Sequence, residues 1–83
     1  MMIYPNPVTG KEGVLYINNM SGLLTIELFD ITGKLLYTTN VFSEGEILSN
    51  ISFPFTNSDG IYECRVRSNR ESREIKILIS NGE

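Results

Sequence analysis

Apolar and polar residues alternate with a period of two along most of the chain, and no stretch carries the spacing of an amphipathic helix. Val14 to Ile17 reads as a short strand, with Gly10 to Gly13 before it and Asn18-Asn19 after it. The next run sets Leu24, Ile26 and Leu28 on one face and Thr25, Glu27 and Phe29 on the other. Asp30 to Lys34 then turns the chain into Leu35 to Thr38, which makes a hairpin. Gly45 opens a looser stretch, Glu46 to Phe53, whose alternation breaks at Leu48-Ser49-Asn50; Pro54 ends it or confines it to a sheet edge. Beyond the turn cluster Asn57-Ser58-Asp59-Gly60 lie the two clearest strands, Ile61 to Arg67 and Arg73 to Ile79, linked by Ser68 to Ser72. In the last of these Ile75, Ile77 and Ile79 share a face, while Glu74 and Lys76 point away. Six or seven short strands at regular spacing predict an all-β antiparallel sandwich.

The turns have identifiable chemistry. Asp30 can accept hydrogen bonds from backbone N–H groups two or three residues on, and Gly33 can supply positive φ. Gly60 lets the chain enter a strand at a tight bend, where Tyr62 can bury its ring and keep its hydroxyl near the rim. Pro5 and Pro7 withhold N–H donors, so Tyr4 to Pro7 is expected as an extended lead-in rather than a central strand.

Eighty-three residues make one domain, taken as 1–83, with a thin single core. A net charge of −3 argues against a general nucleic-acid binder. Cys64 is the only cysteine, which excludes an internal disulfide; its place between Tyr62 and Val66 marks it as a small core residue. No stretch approaches the ~20 apolar residues of a membrane-spanning helix. Met1 to Pro5 lacks the basic and apolar regions of a signal peptide. Two readings stay open: a cytosolic domain, or a piece of a longer exported protein. A first proline so near the start favours the second.

Little here supports catalysis. Without histidine, Ser-His and Cys-His nucleophile pairs and histidine metal sites are excluded. The carboxylates are scattered, and Asn57 to Gly60 lacks the later acidic ligand of a calcium loop. The expectation is a non-enzyme with no metal and no cofactor. Arg65, Arg67, Arg70 and Arg73, with Lys76, crowd the last hairpin. They form either a solvated face of cross-strand ion pairs or a basic contact patch for an acidic partner.

Taken in order, these signatures resemble the C-terminal sorting domains of the type IX (Por) secretion system of Bacteroidetes-type bacteria. Tyr4-Pro5-Asn6-Pro7 matches the opening motif of that family. Asp30, Gly33 and Lys34 match its Asp-x-x-Gly-(Lys/Arg) hairpin, and Gly60-Ile61-Tyr62 matches its Gly-x-Tyr strand. Lys76-Ile77-Leu78-Ile79 is similar to its closing basic-then-aliphatic strand. Three departures are Asn57 where the family usually carries leucine, the absence of glycine from the last hairpin turn, and an acidic final residue, Glu83. The resemblance implies an immunoglobulin-like sandwich of about seven short strands at the C-terminus of a larger cargo protein. It implies that these residues are read by the outer-membrane translocon after export to the periplasm. It further implies removal by a sortase-like protease and delivery of the cargo to the cell surface. The competing expectation is a non-signalling immunoglobulin-like adhesion, spacer or carbohydrate-binding module, the last weakened by the absence of tryptophan.

Overall fold

The structure, a computed structural model, describes residues 1–4, 12–52 and 59–80. Among the described residues five strands follow one another: β1 (Met2–Tyr4), β2 (Glu12–Phe29), β3 (Leu35–Ser52), β4 (Gly60–Arg67) and β5 (Ser72–Ile79). All pairings are antiparallel. β3 runs the length of β2 on one side, while β2's other side is shared between β1 near Leu15 and β4 from Thr25 to Phe29. β5 then pairs with β4.

The expected all-β class holds, but the short strands do not stay separate. β2 and β3 are each 18 residues long and pass straight through Asn18-Asn19 and Gly45. The reason is a β-bulge. Asn18 pairs with Glu46 and Met20 with Gly45, so Asn19 is an extra residue on β2, held at φ 60°. The extra residue shifts the inward positions from odd (Leu15, Ile17) to even (Met20, Leu24, Ile26, Leu28). Apolar side chains thus stay on one side while the strand bends.

That bend curls the sheet, so that its two halves enclose one core. Ile3, Leu15, Ile17 and Ile51 from the first half join Leu24, Ile26, Leu28, Tyr62, Cys64, Val66, Ile77 and Ile79 from the second. Counting each bent strand as two segments gives seven, which is consistent with the six or seven short strands of the expected sandwich. Leu48-Ser49-Asn50 does belong to β3, with its polarity inverted: Leu48 is 62% exposed and Ser49 is buried.

Polar groups at the bend are matched. Ser43, buried on β3, donates from Oγ to the Met20 carbonyl at 2.7 Å and accepts from the Gly45 N–H at 3.1 Å. Among the described residues no buried side-chain polar atom lacks a partner.

Candidate recognition face

The β2–β3 turn is built around one carboxylate. Asp30 Oδ1 accepts from the Thr32 N–H (2.9 Å), the Thr32 hydroxyl (2.6 Å) and the Lys34 N–H (3.0 Å). The Gly33 N–H donates to the Asp30 carbonyl, and Gly33 takes φ 91°, which a side chain would strain. The Thr32 hydroxyl and then the Lys34 backbone donor hold the Asp30 carboxyl below its ordinary pKa. This satisfied loop leaves Ile31 outermost, 82% exposed.

Register brings that turn beside the start of β4. Phe29, the last residue of β2, pairs with Glu63, and Glu63 pairs with Lys76 of β5. Gly60 enters β4 at φ 149°, and two residues later the Tyr62 ring is buried against the core. Asp30, Ile31 and Gly33 therefore face Ile61, Tyr62 and Lys76 across an open groove of about 410 Å³. A second groove of similar size adjoins it at Asp59 and Gly60. The hairpin motif, the Gly-x-Tyr motif and the first residue of the closing motif thus meet in space. Ile77 and Ile79 are instead buried in the core, Leu78 is exposed beside Ile61, and Tyr4 lies half-exposed on the distant β1. Pro5, Asn6 and Pro7 lie outside the described residues, as do Asn57 and Ser58 of the turn cluster.

The four arginines do not form a single surface. Arg67 holds Glu27 with two bonds of 3.1 Å, and Arg65 bonds Glu74 at 3.0 Å while its guanidinium lies 4.8 Å from the Phe29 ring centroid. Both occupy the outer face of the second half. Arg73 faces the opposite way and donates to the Asn18 and Asn19 carbonyls, with Glu71 alongside. Arg70 lies in the exposed β4–β5 turn. There Ser68 closes the turn: its Oγ accepts from the Arg70 and Glu71 N–H groups, and its own N–H donates to the Glu71 carbonyl. Glu63 is crowded by Glu74, whose hydrogen bond raises its pKa, with desolvation and like-charge repulsion adding to the effect. Burial pushes the Cys64 thiol up to about 12. Among the described residues no three His, Cys, Asp or Glu side chains gather as a metal site.

The groove residues Ile31, Ile61 and Glu63, and the role of Arg73 at the bulge, went unrecognised in the sequence. Ile31 and Ile61 line the groove, and their signal is an isoleucine at an outward position, Ile31 inside its turn and Ile61 at the start of β4. Arg73's role at the bulge had no sequence signal, because the contact spans 55 positions.

A family model described as the secretion system C-terminal sorting domain matches residues 2–80. No curated protein and no solved structure gives a significant match to the chain.

Proposed function

The chain belongs to the type IX secretion system C-terminal sorting domain family, and from that premise we propose how it serves as an address. Members of the family are sorting signals for export by that system, not enzymes. The domain is carried at the C-terminus of a larger cargo protein in a Bacteroidetes-type host. The cargo reaches the periplasm by its own signal peptide, and the outer-membrane translocon reads the folded domain. A sortase-like protease then removes it and leaves the cargo at the cell surface.

The observation that carries this reading is the groove between the β2–β3 turn and β4. Residues from three separate family motifs, Asp30 with Gly33, Tyr62, and Lys76, line one concavity with exposed Ile31 and Ile61 on its lip. Apolar side chains beside a few fixed charges suit recognition by another protein. None of these groups is needed to close the core, apart from Tyr62.

The test is a reporter fused ahead of Tyr4 in a host that has the secretion system. The reporter is expected at the surface, and deletion of Glu74 to Glu83 is expected to retain it inside. Ile31→Asp, a change at a turn position that is 82% exposed, is expected to lower export while the melting curve stays unchanged. Unaltered export by both variants would refute the proposal.

A further inference from the structure

Three strand edges are unpaired among the described residues: β1, β3 and β5. An unpaired edge is a template for another strand unless its residues forbid it. β1 offers only three residues. β3 carries Glu44 and Glu46 with no basic residue along its length, so two copies of it meet acid against acid.

β5 differs. Its exposed positions include Glu74 and Lys76, one on each side of the half-buried Ile75. A two-fold axis through Ile75 sets Glu74 opposite Lys76 of the partner subunit, and Lys76 opposite Glu74 of the partner subunit. Side-chain faces repeat every two residues, so the nearest alternative registers that keep inward residues inward are shifted by two. Those set Glu74 against Glu74 or Lys76 against Lys76. One self-pairing register is attractive and its neighbours are repulsive.

The single chain also leaves this pair of charges unbalanced. Glu74 shares its space with Glu63 as well as Arg65, and its carboxylate disfavours the charged form of Glu63. Lys76 makes no salt bridge among those found in the described residues, although Glu63 is its cross-strand neighbour. A second ammonium group arriving beside Glu74 offsets the crowding.

We propose that the β5 edges of two copies of this chain pair antiparallel in the register centred on Ile75, joining two sheets into one two-fold dimer. This goes beyond the sorting role and does not depend on it. An eight-residue edge buries little area, so the association is weak and concentration-dependent.

Sedimentation equilibrium of the 83-residue chain, from about 1 μM to 1 mM, tests it. The mass is expected to climb from monomer toward dimer over that range. Glu74→Lys alone and Lys76→Glu alone are each expected to weaken association about tenfold or more, equivalent to about 1.4 kcal/mol. The double exchange E74K/K76E restores it, and an equimolar mixture of the two single variants forms a heterodimer that neither forms alone. A melting curve for each variant verifies folding. A wild-type chain monomeric throughout overturns the proposal, as does a dimer indifferent to both single reversals. If the chain is monomeric yet Lys76→Glu blocks export of the reporter, the edge serves a translocon strand; the dimer then falls and the sorting role stands.

Discussion

Nη1 of Arg73 donates a 2.6 Å hydrogen bond to the carbonyl oxygen of Asn18, 55 positions earlier in the chain. Nη2 reaches the neighbouring Asn19 carbonyl at 2.9 Å. Both carbonyls lie at the bulge, between the part of β2 bonded to β1 and the part bonded to β4. A guanidinium fork is suited to two adjacent acceptors, so one side chain of β5 ties the second half of the curled sheet to its bend.

Arg73→Ala is therefore expected to destabilise the fold by about 2 kcal/mol, the range for hydrogen bonds from a charged donor. Arg73→Lys keeps the charge but not the fork and is expected to recover less than half of that. Urea unfolding followed by circular dichroism checks both, with the midpoint falling and the slope unchanged. Equal stability of the wild-type and alanine chains would show that the fork contributes nothing to the bend.

Asp30 organises its turn as a carboxylate, so its contribution depends on pH. Its folded pKa lies below the ordinary value, because the Thr32 hydroxyl and the Lys34 and Thr32 N–H groups favour the ionised form. The stabilisation is present above the unfolded pKa and is lost as pH falls through the folded one. Asp30→Ala is expected to lower Tm by a few degrees at pH 7, and the gap is expected to close as the solution is acidified below the carboxylate range. Parallel melting curves across that range measure it; a gap constant with pH would mean that the charge plays no part.

Alternation around Leu24–Leu28, Tyr62–Val66 and Ile75–Ile79 made the strand faces and much of the core legible, since the inward positions are apolar and the outward ones, Leu78 apart, are polar. The turn at Asp30 was legible for the same local reason. The continuity of β2 and β3 was not. Asn18-Asn19 has the composition of a turn, and only the partner strand turns it into a bulge. β3 was obscured because Ser43 and Ser49 point inward while Phe42 and Leu48 point out. The groove was half legible. Its motifs were visible singly, but their meeting depends on the pairing of Phe29 with Glu63 and of Glu63 with Lys76.

Cys64 is fully buried between β2 and β5, and burial raises its thiol pKa to about 12. Only the thiolate reacts, and the core also blocks access. Alkylation of the native chain at pH 8 is expected to be at least roughly a thousandfold slower than in denaturant, its rate following the opening of the sheet. Mass spectrometry of a labelling time course provides the measurement. Fast modification of folded protein would place the thiol at the surface.

The one-residue insertion at Asn19 decides which side chains face inward beyond it. Before the bulge the buried positions of β2 are odd and after it they are even, so removing Asn19 reverses one half relative to the other. Either Leu24, Ile26 and Leu28 turn to solvent, or Leu15 and Ile17 do. Fully burying an aliphatic side chain is worth about 1.5–3 kcal/mol, so exposing two or three costs about 3–9 kcal/mol, comparable to all that a domain this small holds in reserve. Deletion of Asn19 is expected to abolish cooperative folding. Substitution in place is milder: Asn19→Gly suits φ 60° and is expected to be near neutral, whereas Asn19→Val is strained there and is expected to cost about 1–2 kcal/mol. Chemical denaturation of the two substituted chains, with circular dichroism of the deletion, separates register from local strain. A deletion chain that folds cooperatively would mean that the bulge does not set the inward face.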